Sequence, residues 1–162
     1  MIEICKTKVE MTQIILPSHT NNHGTAFGGQ IAAWVDICAA VSAQRFCRDS
    51  VVTASMDALH FLEPVRRGMV VILQSLVNCA WDTSMEVGVR VDTEDPLTGE
   101  MRHCCSGYLT FVSIDENGRP KQLPKIIVSN AEEQRRWDNA QTRRELRLKM
   151  RSMRREKHTK DD

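Results

Sequence analysis

The sequence predicts an α+β fold in which an antiparallel sheet is wrapped around one long central helix, with a charged helix at the C-terminal end. Three observations carry this reading. Residues 28–47 read as one helix that is apolar around much of its circumference, so it needs cover on more than one side. One strand-like run precedes that helix and four follow it. One helix cannot cover both faces of a five-stranded sheet, so the economical packing curls the sheet around the helix.

The elements follow in chain order. Over residues 5–15, Cys5, Thr7, Val9 and Met11 alternate with Lys6, Lys8, Glu10 and Thr12, the period of a half-buried strand. The stretch PSHTNNHGTAF is rich in turn formers and predicts a loop. The helix over residues 28–47 has a length of about 30 Å. Ile31, Val35, Cys38, Ser42 and Phe46 fall on one stripe of it, which Ala32, Ala33, Ala39, Ala40 and Ala43 widen. Strand patterns then occupy residues 51–62, ended by Pro64, and residues 69–79. A clean alternation of Met85, Val87, Val89 and Val91 follows, and an inward set of Cys105, Gly107, Leu109, Phe111 and Ser113. The joints RRG, DPLTG and DENGRP carry turn chemistry, which predicts that the four strands run as a meander. Residues 131–157 are strong helix formers with dense charge, only weakly amphipathic through Leu146, Met150 and Met153.

The 162 residues suit one domain, read as a body over residues 1–130 and a basic helical extension over 131–162. The extension holds 11 basic and 7 acidic residues, net +4, and the body holds 11 and 14, net −3. The whole chain is close to neutral at +1, so attraction to nucleic acid is not indicated. Arg135, Arg136, Arg143, Arg144, Arg147, Arg151, Arg154 and Arg155 sit among acids, which predicts a solvated helix packing on its own oligomer. No run of eighteen apolar residues is present, and MIEICKTKVEM lacks the apolar core of a secretory signal. Cys5, Cys38, Cys47, Cys79, Cys104 and Cys105 form no C-x-x-C pair and no zinc spacing with histidines. Reduced thiols in a cytoplasmic protein without a metal site are expected, and no membrane contact.

The stretch NNHGTAFGGQIAAWVD holds the candidate chemistry. Gly28 and Gly29 open the helix, where first-turn N–H groups lack intrahelical partners and can meet an oxygen that becomes anionic. Asp36 stands among Ile31, Trp34, Val35, Cys38 and Ala39, a candidate general base. Eight residues of helix span about 12 Å, so Asp36 cannot reach an oxygen held on its own chain's Gly28. Two such helices running antiparallel across a twofold axis would bring each glycine end to the other's aspartate. The sequence therefore predicts a homodimer with two composite sites.

The pattern N-x-x-G-x-x-F-G-G with an aspartate seven residues after the second glycine resembles the hotdog-fold acyl-CoA thioesterases. The nearest group in pattern is the acyl-CoA hydrolase family, with its brain-type cytosolic enzyme and bacterial single-domain relatives. VTASMDALHFLEPVRRG, TSMEV and YLTFVSIDENGRP are similar to that group as well, and the likeness runs over residues 5–150. The resemblance implies hydrolysis of fatty acyl-CoA to fatty acid and CoA in fatty acid metabolism. It implies no cofactor beyond CoA as part of substrate and product, and assembly of dimers to a hexamer as a trimer of dimers.

Residue by residue, the resemblance implies Asp36 as the catalytic carboxylate, acting as general base or nucleophile. It implies Asn21 as the amide that positions thioester or water from the other protomer, and Gly28 as the N–H that polarises the carbonyl. His23, Phe27 and Gly29 then read as substrate contacts. Arg66 and Arg67 read as partners for CoA phosphates, and Thr83 and Ser84 as hydroxyl contacts. Some related enzymes carry a threonine one turn beyond the carboxylate. Here that position is Ala40, so positioning of water must come from elsewhere. A dehydratase would want a catalytic histidine in the loop that enters the helix, and His19 and His23 stand in a loop otherwise of the hydrolase pattern. The alternative function is an acyl-CoA-binding sensor without catalysis, which has no need of a carboxylate at Asp36.

Overall fold

A computed structural model describes residues 1–158, with side chains described through residue 154. The end of the basic extension, residues 159–162 and the side chains of Arg155 and Lys157, lies outside the described residues. The central helix α1 spans Gly28–Cys47, as its pattern predicts. Its apolar stripe is inside: Ile31, Val35, Cys38, Ser42 and Phe46 are all buried. It stops at Arg48, which takes the left-handed conformation at φ 58° and donates its N–H to the Gln44 carbonyl, a helix-closing geometry.

Five antiparallel strands surround it: β2 (Val9–Ile14), β3 (Ser50–Met56), β4 (Val70–Ala80), β5 (Ser84–Glu94) and β6 (Met101–Ile114), in the order β2-β4-β5-β6-β3. All five pack against α1. Val71, Leu73, Val77, Met85, Val87, Leu109 and Phe111 fill the space between, with little or no exposure. Two short strands, β1 (Ile2–Glu3) and β7 (Ile126–Ile127), pair in parallel apart from the main sheet.

Three features differ from the sequence expectation. The first strand starts at Val9, because residues Ile4–Thr7 form a 3-10 turn. Thr7 explains it: its buried hydroxyl donates to the Ile4 carbonyl at 2.7 Å and accepts the Val77 N–H at 3.0 Å. The second strand pattern ends at Met56, short of residue 62. And the four late strands are not one meander. β4, β5 and β6 are consecutive neighbours, but β3 pairs with β6 at the far edge. Its link to β4 runs over residues 57–69, too long for a tight hairpin, so β3 is free to cross to the opposite edge.

The last helix, α2 (Ala131–His158), packs on β4 and is held by buried charge rather than by an apolar stripe. Glu86 is fully buried on β5 and meets Arg143 at 2.6 Å, Arg147 at 2.7 Å and the Asn78 amide at 3.0 Å. Arg147 also bridges to Asp57 at 2.8 Å. The Arg143 guanidinium lies 3.7 Å over the Tyr108 ring, and Arg144 lies 4.5 Å over Trp81. The solvated helix expected from mixed charge is thus corrected in its middle. Arg143, Arg144 and Arg147 serve their own chain, whereas Leu146, Met150 and Met153 point outward, about half exposed. Burial alone would disfavour the charged Glu86. The hydrogen bonds from Arg143, Arg147 and Asn78 outweigh it and hold the carboxyl below its ordinary range. Among the described residues, no helix is long and apolar enough to cross a membrane.

Candidate active site

The loop before α1 is built around Asn21. Its side-chain oxygen accepts the backbone N–H groups of His23 at 2.9 Å and Thr25 at 3.3 Å, and its amide donates to the Thr25 hydroxyl at 2.9 Å. This is a side chain imitating a backbone turn, completed by Gly24 at φ +74°. The loop is stitched to the segment before β4. Ala26 donates its N–H to the Val65 carbonyl at 2.7 Å, and Arg67 donates to the Gly24 carbonyl at 3.0 Å. Asn21, His23, Phe27, Gly28, Gly29, Arg66 and Arg67 therefore share one end of the molecule.

Phe27 caps α1 without a side-chain acceptor, so the N–H groups of Gly28 and Gly29 have no acceptor inside the helix. The Phe61 ring lies over this end. A Cβ added to Gly28 would come within 3.3 Å of its Cε2 atom, so glycine permits the close approach. Phe27 and Phe61 are each about half exposed. A recess of about 140 Å³ sits here between Thr25, Gly28, Ile31, Phe61 and Pro64. Next to it runs a groove of about 520 Å³ lined by Arg66, Arg67 and Arg102 and by Glu63, Asp95 and Glu100. Glu63 and Pro64 border both. His23 is exposed, and His19 sets its ring edge-on to Trp34 at 5.1 Å.

Asp36 stands two turns along α1, half-buried. The Thr53 hydroxyl of β3 donates to its Oδ1 at 2.8 Å. Beside it Ile37 is 53% exposed, and Val41 on the helix and Met56 on β3 are also open, while Val52, next to Thr53, is open on the other face of β3. Among the described residues β3 pairs only with β6, its other edge having no strand partner. Within one chain, Asp36 is not hydrogen-bonded to Asn21, whose polar atoms are engaged in its own loop.

Thr83 and Ser84 lie elsewhere. Ser84 is in register with Val112 of β6, whereas the Leu62 N–H, next to Phe61, meets Cys104 of the same strand. Eight residues of strand separate those points, roughly 27 Å. One chain does not bring these hydroxyls to Gly28. Among the described residues, no three His, Cys, Asp or Glu side chains are placed to hold a metal ion.

Thr53 is the residue that sequence reasoning passes over, whereas Phe61 reads there as core or as wall of an acyl tunnel and lies instead over the start of α1. Ala40 was the available signal for Thr53, since it left the carboxylate without its expected hydroxyl. Thr53 supplies one from the neighbouring strand.

A family model for the thioesterase superfamily matches residues 23–100. YkhA of Bacillus subtilis, described as an uncharacterised acyl-CoA thioester hydrolase, is 42% identical over 130 residues, 80% of this chain and 76% of that one. Mouse acyl-coenzyme A thioesterase 11 is 36% identical over 149 residues, but the chain spans only 25% of its length. An acyl-CoA hydrolase of Staphylococcus aureus, solved with butyryl-CoA, CoA and CoA disulfide, superposes with a TM-score of 0.89 at 32% identity. The match covers 96% of this chain and 94% of that one. A hexameric acyl-CoA thioesterase gives 0.88 at 36% identity, over 92% and 96%. The Staphylococcus aureus protein has also been solved with an asparagine, an aspartate and a threonine each changed to alanine. Those three are spaced along its chain as Asn21, Asp36 and Thr53 are here.

Proposed function

The chain belongs to the thioesterase superfamily, among its acyl-CoA thioester hydrolases, and from that premise we propose that it hydrolyses fatty acyl-CoA to fatty acid and CoA at a site shared by two subunits. The observation that carries this reading is the apolar surface around Asp36. Ile37, Val41 and Met56 lie open beside an unpaired strand edge, and apolar area of this kind gains by being covered. A second copy laid antiparallel on that face covers it and carries its own Gly28 toward Asp36. The hexameric relative supports assembly of three such dimers.

In this arrangement the thioester carbonyl sits on the Gly28 N–H, where the positive end of the helix stabilises the developing negative charge. Asp36 of the neighbouring subunit takes a proton from water as the hydroxide adds to the carbonyl carbon. The carbon–sulfur bond then breaks, and the thiolate recovers that proton from Asp36. In the other route Asp36 itself attacks and forms a mixed anhydride, which water opens. Thr53 holds the carboxylate in place in either case. Asn21 positions thioester or water, while His23, Phe27 and Gly29 line the approach. Arg66 and Arg67 take the phosphates of CoA, and Thr83 and Ser84, remote from Gly28 within one chain, add hydroxyl contacts from another subunit. CoA enters as part of the substrate and leaves as product. Residues 1–130 form the catalytic unit, and residues 131–162 the extension that braces it.

The test is a screen of acyl-CoA chain lengths that follows released thiol, with Asp36→Ala as control. Thiol release by the wild-type protein and its loss in the variant are expected. A variant that turns over normally removes Asp36 from the reaction, and a wild-type protein that binds acyl-CoA without releasing thiol is a sensor. Single turnover in ¹⁸O-labelled water separates the two routes, because label enters Asp36 only through the anhydride.

A further inference from the structure

We propose that Ser106, His103 and Asp92 form a second nucleophilic centre, on the outer face of the sheet, for small activated acyl or phosphonyl electrophiles. The Ser106 hydroxyl lies 3.2 Å from His103 Nε2, and His103 Nδ1 lies 3.0 Å from Asp92 Oδ1. Nucleophile, base and orienting carboxylate thus stand in hydrogen-bonded order, the relation by which such centres are recognised on unrelated folds.

The backbone is specially arranged to make this possible. Residues three apart on a regular strand point to opposite faces. Here Val91 pairs with Cys105 but Asp92 pairs with His103, so Cys104 is an extra residue, a β-bulge. The bulge turns His103 onto the face that carries Ser106, which is how bulges re-aim side chains. Asp92 keeps its charge there. Burial opposes it, but hydrogen bonds from Arg90 and His103 outweigh burial and hold the carboxyl below its ordinary range. An ionised Asp92 only accepts, so it fixes the proton of His103 on Nδ1 and leaves Nε2 to accept from Ser106.

Ser106 is exposed, and its partner in register is Arg90. Arg90 donates through Nε to Asp92 at 2.7 Å, and a guanidinium has further N–H donors to offer an oxygen that becomes negative. Arg90 is therefore the charge stabiliser, and the centre suits electrophiles with a good leaving group. It stands apart from the recess at the Gly28 end.

The step balances simply. With a fluorophosphonate, the Ser106 proton passes to His103 Nε2, the oxygen–phosphorus bond forms, and the phosphorus–fluorine bond breaks. Fluoride leaves, and His103 returns its proton to solvent. With p-nitrophenyl acetate the Ser106 proton passes to His103, the serine is acetylated and nitrophenolate departs; water, giving its proton to His103, then cleaves the acetyl-serine to acetate and restores the hydroxyl.

The experiment treats the full chain with a fluorophosphonate and reads intact mass, then maps the adduct. One adduct on Ser106 is expected, absent in Ser106→Ala. Its rate of formation should fall on the order of a hundredfold in His103→Ala, and strongly in Asp92→Asn, with folding of each variant checked by its melting curve. p-Nitrophenyl acetate turnover is measured in Asp36→Ala, so that the thioester site does not contribute. It should persist there and vanish when Ser106→Ala is added. A folded wild-type protein that takes no adduct at Ser106 overturns the proposal, and so does labelling indifferent to His103→Ala. Either failure leaves the acyl-CoA reading untouched, since that reading is scored by thiol release.

Discussion

Two regions of this molecule each hold a carboxylate in an apolar setting, and they use it in opposite ways. Under α2, Glu86 is fully buried and surrounded by Arg143, Arg147 and Asn78. Along α1 and β3, Asp36 is half-buried, has one neutral partner in Thr53, and borders open apolar surface. A buried acid whose acceptor sites are filled by arginines is spent on holding the structure together. An acid left with free acceptor capacity at a surface that needs covering is available for chemistry. Partner count and exposure, not apolar neighbours, separate the two.

The largest expected effect breaks the pair at its functional member. Asp36→Ala should lower acyl-CoA hydrolysis on the order of a thousandfold and shift stability by no more than about 0.5 kcal/mol. Hydrolysis assays and melting curves on the same sample check this. If Asp36→Ala melts far below wild type, the contrast between the regions is lost.

Glu86→Gln should do the reverse. Arg143 loses its counter-ion and Arg147 keeps only Asp57, so a cost of about 3 kcal/mol is expected, a fall in Tm of roughly 6–12 °C, with hydrolysis near normal while the protein is folded. Urea unfolding measures it. The same variant gives a pH signature. The folded-state carboxyl lies below its ordinary value of 4.5, so its contribution is complete above that value and is lost as pH falls through the lower range. The stability gap between wild type and Glu86→Gln should therefore shrink from about pH 5 toward pH 3. A gap that widens on acidification contradicts the assignment.

Thr53→Ala is the smallest and sharpens the comparison. Its hydroxyl orients Asp36 without touching the reacting atoms, so hydrolysis should drop about tenfold, equivalent to one hydrogen bond of about 1.4 kcal/mol. Thr53→Ser should recover most of the rate, which a merely structural role for the methyl group would not.

Much of this architecture is legible in the amino-acid order, and the exceptions have physical reasons. The central helix is found to its ends because apolar spacing and a Gly-Gly start are local signals. The inward faces of β4, β5 and β6 are equally local, since strand alternation is a property of neighbours. The place of β3 is not, because the long link over residues 57–69 does not fix which edge it joins. Cys5 alternates like a strand residue, yet the hydroxyl of Thr7 diverts the chain into a turn. Asp36 and Gly28 stand out in sequence through their spacing on one helix. Thr53 does not, since its value depends on contact with α1. Arg143 and Arg147 look like any solvated pair until Glu86, 57 and 61 residues earlier, is seen beneath them.

That interval matters while the polypeptide is being made. Glu86 leaves the ribosome well ahead of the arginines that neutralise it. Until α2 arrives, β5 carries an uncompensated anion on the surface that α2 will cover, so water must stay there. That face of the sheet is thereby finished only in the last stretch of synthesis, and in a nascent chain halted before residue 143 it should stay hydrated.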